Sequence, residues 1–300
     1  MIGALALVAL LRAQGGATTP PSRDTVGYWQ QQADYRITAV LDEAAERLRA
    51  RGTLRYVNRS PDTLRVLWLH QYLNAFRPQS RWSASDTREE RVRFQALAER
   101  EQGFERFTSP PTVNGSSVRL EYPGAPDSTV ARLTLSRPLA PRETAFVAFA
   151  WEARPSTVPR RQGRRGRTYD LAQWYPKVAV YDRRGWEPNA LVPAGELYGE
   201  FGAFDVTLVV RDDQVVAGTG VVTAGDPGWA RVAQGGRLPP TVAVAYEGDR
   251  PDAWLDTSDS VAIPSGHRVV RFRARSVHHF AWSASEGATS ATCRPTNVAS

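Results

Sequence analysis

The feature that most constrains this chain is a succession of short alternating segments separated by turn clusters, with almost no helical period between them. Tyr35-Arg36-Ile37-Thr38-Ala39-Val40-Leu41 alternates apolar and polar residues, the period of a strand with one buried face. Residues 54–58 and 64–70 repeat the pattern, and Arg59-Ser60-Pro61-Asp62-Thr63 between them is a turn cluster. Further strands are expected at 117–122, 131–136, 144–151, 204–210, 214–218, 241–246 and 268–274. Residues 42–50 have helical propensity but lie between strand signals, so one long strand is expected there. Residues 85–106 differ. Asp86 suits an N-cap, Glu89 and Glu90 fall in a first turn, and Val92, Phe94, Leu97 and Ala98 follow at helical spacing. The expected fold is all-β, an antiparallel β-sandwich or saddle of several sheets with one short inserted helix. The lack of strand–helix alternation argues against a parallel α/β fold.

Composition narrows the chemistry. With 42% hydrophobic and 23% charged residues, the chain is too apolar for disorder and too polar for a membrane bundle. Its single Cys, Cys293, excludes a disulfide framework and any multi-Cys metal site. There are four His. His278 and His279 are adjacent on a strand, so their rings point to opposite faces and do not share a metal. His70 sits in an apolar strand as an expected hydrogen-bonded core residue, and His267 lies in a turn. No HExxH, GxSxG or phosphate-binding loop occurs. The residues therefore offer no catalytic nucleophile and no metal ligands. The formal net charge is +7, yet Lys177 is the only Lys among 38 basic residues. That bias reads as codon composition, not as a nucleic-acid signal. The densest basic run, residues 160–167, has no interleaved aromatics and reads as a solvated, mobile loop.

The ends differ from the body. Residues 2–11 form an apolar run, IGALALVALL, about half the length that a membrane helix needs. With the small residues after it, it reads as the h-region of a signal peptide over residues 1–17. A Gly/Thr/Pro/Ser linker follows over 18–27. Export to the periplasm or the cell exterior is expected, with no membrane span. A β domain over 28–285 precedes a tail, 286–300, with neither strand nor helix period.

Residues 169–205 hold the most information: YDLAQWYPKVAVYDRRGWEPNALVPAGELYGEFGAFD. Trp174, Tyr175, Tyr181, Trp186, Tyr198, Phe201 and Phe204 crowd together with Pro and Gly. Such a stretch either lines a cleft or covers a sheet edge as a structured loop.

In this stretch the chain resembles the amino-terminal β domain of the M1 family of zinc metallopeptidases, the aminopeptidases. The most specific piece is Gln173-Trp174-Tyr175-Pro176-Lys177-Val178-Ala179-Val180-Tyr181-Asp182, followed by Gly185-Trp186. Gly195-Glu196-Leu197-Tyr198, Glu200-Phe201-Gly202 and Phe204-Asp205-Val206-Thr207 continue it. Earlier pieces are Tyr35-Arg36-Ile37, Gly52-Thr53-Leu54-Arg55-Tyr56-Val57-Asn58 and Leu67-Trp68-Leu69-His70. Val277-His278-His279-Phe280-Ala281-Trp282 resembles the strand end where that domain meets the next.

The resemblance implies a saddle-shaped β domain that packs on a zinc-binding catalytic domain of the same polypeptide and shapes the cleft for a peptide amino terminus. In the family, zinc is held by the second domain through HExxH and a distant Glu, and the β domain supplies a Gln or Glu toward the substrate amine. A carboxamide or carboxylate suits an ammonium because it accepts the ammonium's hydrogen bonds. On that resemblance Gln173 is the first candidate for substrate binding and Glu196 the second. No zinc ligand or general base is present, so this chain is expected to bind no cofactor and to be inactive alone. The alternative is a complete, noncatalytic β-sandwich adaptor. Nucleic-acid binding is not expected.

Overall fold

The computed structural model describes residues 27–192, 197–232 and 262–286. The expected signal peptide and most of the linker, the strand at 241–246, Glu196, Cys293 and nearly all of the tail lie outside the described residues.

In chain order the strands are β1 (Gln32–Asp42), β2 (Arg47–Val57) and β3 (Leu64–His70), followed by helix α1 (Arg81–Arg88). Then come β4 (Phe104–Val113), β5 (Ser116–Ser117), β6 (Arg119–Glu121), β7 (Val130–Leu139) and β8 (Thr144–Arg154). Five short strands cross the aromatic stretch and its approach: β9 (Gly163–Arg165), β10 (Thr168–Leu171), β11 (Lys177–Val178), β12 (Tyr181–Asp182) and β13 (Gly185–Trp186). The last are β14 (Gly202–Arg211), β15 (Gln214–Gly218), β16 (Val221–Ala224), β17 (His267–Val277) and β18 (Trp282–Glu286). An eight-stranded sheet runs β16-β17-β14-β1-β2-β8-β4-β5. Two four-stranded sheets, β15-β18-β10-β9 and β11-β3-β7-β6, and a two-stranded β12-β13 ribbon complete the fold. The all-β class with one short helix is as expected from the sequence.

One pairing departs from a wholly antiparallel layout. β1 runs parallel to β14, with Tyr35 opposite Phe204 and Val40 opposite Val209, so the large sheet is mixed. Alternation does the rest. Tyr35, Ile37, Ala39 and Leu41 of β1 point into the core, as do Leu48, Leu54 and Tyr56 of β2 and Val147, Phe149 and Trp151 of β8. The smaller sheets close over that face, and Leu67, Leu69, Leu133, Tyr169, Leu171 and Trp282 join the same continuous core.

Local expectations are corrected at three places. Residues 42–50 are not one strand. The chain turns at 43–46, where Asp42 Oδ1 accepts from Ala45 N at 3.0 Å and Glu46 takes φ 51°. β1 and β2 therefore form a hairpin. The helix lies earlier than Asp86 suggested. Ser80 caps it by accepting from Ser83 N at 3.0 Å, and Trp82 packs on Phe76 and Phe94. Asp86 lies within the helix, fully buried, 3.6 Å from Arg93 Nε. The basic run is a hairpin rather than a mobile loop. Arg164 is buried, donates to the Arg100 carbonyl and pairs with Glu46, and Arg167 reaches Glu43, Asp213 and Glu286. These carboxylates hold cations that composition alone marked as free charge.

Candidate functional site

The stretch that carries the family resemblance divides into a buried hub and an exposed rim. At the hub, Gln173 takes φ 58°, a left-handed conformation unusual for a side-chain-bearing residue. Its backbone N–H donates to His279 Nε2 at 3.0 Å. That turn drives Trp174 and Tyr175 into the core, where both are fully buried. Trp174 Nε1 donates to the Phe280 carbonyl at 3.0 Å, and Trp151 Nε1 donates to the Trp174 carbonyl at 2.9 Å. Tyr175 meets Tyr35 edge-on at 5.0 Å and Phe204 at 5.7 Å. Val178 N–H donates to Tyr35 Oη at 2.8 Å. The segment thus ties β1, β8, β14 and the residues before β18 together. The sequence left open a cleft lining or a loop over a sheet edge; the first half is neither, because it is buried in the core.

The second half faces outward. Tyr181 Oη donates to Asp62 Oδ2 at 2.7 Å, and Tyr181 N–H donates to Glu200 Oε1 at 3.2 Å. Beside this ribbon lies an open cavity of about 1090 Å³, lined by residues 27–30, 180–184, 197–201 and His278. Tyr28, Tyr198 and Phe201 stand on its rim at 72%, 55% and 45% exposure. The Phe201 ring lies 5.5 Å from His278.

Behind the cavity floor sits Lys177, buried, with no hydrogen-bond partner for Nζ. Burial lowers its pKa to about 8, against the raising influence of Glu200. Burial, with Asp182 adding repulsion, lifts Glu200 to about 7. Two imidazoles share this environment. His70 is opposite Lys177 in the β3–β11 register and stacks on Tyr72 at 4.5 Å, while His279 faces Tyr175 at 5.9 Å. Burial first, then the positive charge of Lys177, lowers both to about 3, so both are neutral near pH 7. His70 was expected as a hydrogen-bonded core residue. It is buried in the core as expected and stacked, and its Nδ1 has no partner. His278 and His279 were expected on a strand but lie just beyond the end of β17 at Val277; their rings still meet different neighbours, Phe201 and Tyr175.

Gln173 is 3% exposed and is not among the residues lining the cavity. The charged residues that border the cavity are Asp182, Arg183, Arg184 and Glu200, with His278 beside them, and sequence reasoning singled out none of them as site residues. Lys177 had its own signal, as the one Lys retained in a chain otherwise basic through Arg. Among the described residues, no group of three or more His, Cys, Asp or Glu could hold a metal ion. Zinc does not fit the donors present: His70 is stacked in the core, and His279 Nε2 already accepts from Gln173 N–H.

No protein-family model matches the chain, and no curated protein matches it. Solved structures do. An M1 zinc metallopeptidase variant from Deinococcus radiodurans, bound to a Tyr-Ser-Ala substrate, is 14% identical with a TM-score of 0.43. That match covers 85% of this chain and 42% of the other. A two-domain M1 zinc metallopeptidase variant bound to L-tryptophan is 14% identical, with a TM-score of 0.44 and coverage of 86% and 43%. An M1 zinc metallopeptidase from Deinococcus radiodurans is likewise 14% identical, with a TM-score of 0.42. The chain therefore spans less than half the length of the solved structures it matches.

Proposed function

We propose that this chain is the amino-terminal β domain of an exported M1-type zinc metallopeptidase, shaping the substrate cleft for a catalytic domain that follows it in the same polypeptide. The observation that carries the reading is the ordered resemblance centred on Gln173-Trp174-Tyr175-Pro176-Lys177-Val178-Ala179-Val180-Tyr181-Asp182. The rim aromatics support it. Tyr28, Tyr198 and Phe201 expose apolar rings around one cavity, and a cluster of that kind marks a surface meant to meet something else. The apolar run at 2–11 supports export. Zinc and the general base belong to the other domain in this reading, so the chain itself is a binding and packing module.

Sequencing the gene beyond the codon for Ser300 tests the reading. A continuing frame that encodes HExxH with a downstream Glu is the expected result. A stop codon with no such frame nearby sinks it. The isolated chain, supplied with zinc, should not hydrolyse aminoacyl-p-nitroanilides, and turnover above the blank overturns the assignment of catalysis to the second domain.

A further inference from the structure

Lys177 is the only Lys in the chain, and the domain reading gives its amine no task. It lies on β11 at 3% exposure, and Nζ has no hydrogen-bond partner. Gly199 fixes where the amine points. A Cβ on Gly199 would overlap Nζ and Cε, so the amine occupies the volume that a side chain at position 199 would fill. Gly199 itself lines the open cavity. One glycine backbone therefore separates the amine from that cavity.

Across the β3–β11 pair His70 stands opposite Lys177, and its Nδ1 is buried without a partner. Side chains directly opposite on neighbouring strands start about 4.5–5.5 Å apart at Cβ. A neutral imidazole can carry its proton on Nδ1 and donate it. The hub thus holds a buried amine and, beside it, a ring nitrogen that also lacks a partner. The titratable groups that act on Lys177, or on which it acts, are His70 on β3, Glu200 ahead of β14, and His278 and His279 after β17. Glu200 is the carboxylate among them, and its Oε1 accepts from Tyr181 N–H rather than from Nζ. With burial holding Lys177 at about 8, about half of the folded amine is neutral at pH 8, against about one part in 250 of an unfolded Lys. The neutral amine is a nucleophile and the ammonium is not.

We propose that Lys177 is a carbamylation site, taking carbon dioxide onto Nζ as a carbamate that accepts from His70 Nδ1. The amine lone pair attacks the carbon, an N–C bond forms, one C–O π pair moves onto oxygen, and the nitrogen sheds one proton to solvent. No oxidant or reductant takes part. At 3% exposure the amine is closed to bulky electrophiles, whereas carbon dioxide is small, linear and uncharged. The product gives His70 Nδ1 an acceptor, and it turns one positive charge behind the cavity wall into one negative charge. Only residues of this chain take part, so the site does not depend on the domain reading.

Chemical trapping tests it. The 300-residue chain is equilibrated at pH 8 with isotope-labelled bicarbonate, which supplies carbon dioxide, and is then alkylated with triethyloxonium ion, which converts a carbamate into a stable ester. Peptide mapping by mass spectrometry should find the labelled ester on Lys177 at about tenfold or more the level on the same residue of the urea-unfolded chain. Because the chain has no second Lys, the amino terminus is the other amine, and its peptide is separate. His70→Phe keeps a ring against Tyr72 but removes the donor, and should lower the trapped fraction by about threefold or more. If that variant fails to fold, the comparison of folded with unfolded parent decides alone. No ester on Lys177, or equal trapping in the folded and unfolded chains, overturns the proposal. Bicarbonate held without a covalent bond leaves no ester and overturns it as well, and so does a folded His70→Phe variant that traps as much as the parent.

Discussion

Trp151 Nε1 donates to the backbone carbonyl of Trp174 at 2.9 Å, with the two rings 6.0 Å apart and both side chains fully buried. This bond joins the large sheet to the stretch on which the functional reading rests. Trp151→Phe keeps an aromatic ring but leaves that carbonyl without its donor. The expected loss is about 1–3 kcal/mol. Trp174→Ala removes the ring itself and should cost about 3–5 kcal/mol. Urea denaturation measures both, and a Trp151→Phe midpoint equal to the parent's would show that the bond adds nothing to stability.

Gly202 begins β14 where the register with β17 shifts, and a Cβ there would overlap the Ala33 carbonyl oxygen. Backbone cannot move aside as a side-chain tip can. Gly202→Ala is expected to destabilise by about 2–3 kcal/mol or more. Gly115, with φ 78° and nothing within 4 Å of an added Cβ, is the comparison. Gly115→Ala should cost only the conformational strain, about 1–2 kcal/mol. Thermal melts that rank the two in the opposite order would contradict this account.

His70 and His279 make the fold acid-sensitive. Burial and then the charge of Lys177 lower each to about 3, while an unfolded imidazole takes its proton at about 6.5. Between those values the unfolded chain holds more protons, so stability falls as pH drops from about 6.5 toward 3. Glu200, raised to about 7 by burial, works the other way between its ordinary value and 7. Glu105, fully buried and raised well above its ordinary value by burial, opposes the imidazoles as Glu200 does. Relative to the parent, His70→Gln should therefore remove up to about 1.4 kcal/mol per pH unit of acid-side loss. A stability difference between His70→Gln and the parent that does not change from pH 6.5 to 5 rules this out.

Lys177 predicts a rise in stability on the alkaline side. Burial holds its folded pKa at about 8, below its unfolded value of about 10.4. Within that window the unfolded chain binds the extra proton, so the contribution of Lys177 to stability increases from pH 8 toward 10, while buried tyrosines raised by burial, such as Tyr56 and Tyr175, work the other way near 10. Lys177→Met should abolish that rise and stabilise the fold at pH 7 by about 1–3 kcal/mol, because no buried ammonium remains to be desolvated. If the Met variant is less stable at pH 7 and keeps the alkaline slope, the ammonium makes favourable contacts that this account lacks.

Much of the sheet was legible because alternation is a direct record of two faces. Residues 64–70 and 214–218 are strands with the expected ends, and 144–151 extends only to Arg154. β4 was missed because Pro110 and Pro111 interrupt it, and its pairing with β8 shifts register at those positions. Strands of two to four residues in the aromatic stretch are too short to show a period. The hairpin at 43–46 was hidden because its turn is built from Glu and Ala, with Asp42 supplying the only local signal. For the site, the sequence marked the aromatic density. It could not divide core from rim, since that depends on which residues β1, β8 and β14 bring against them. It also did not show that the single Lys would be buried opposite the neutral imidazole of His70.

The parallel pairing of β1 with β14 sets Tyr35 against Phe204 across most of the described chain. A ribosome therefore releases β1 long before its neighbour exists. At roughly 5–20 residues per second, that neighbour follows after about ten to thirty seconds. During that interval the β1–β2 hairpin has one unpaired edge and an apolar face still lacking its cover. The β1–β14 junction thus closes late, with only β17 and β16 left to join beyond β14, and such long-range closure belongs to slowly folding topologies. A chaperone that shields strand edges during synthesis would raise the yield of this protein more than one that acts on the finished chain.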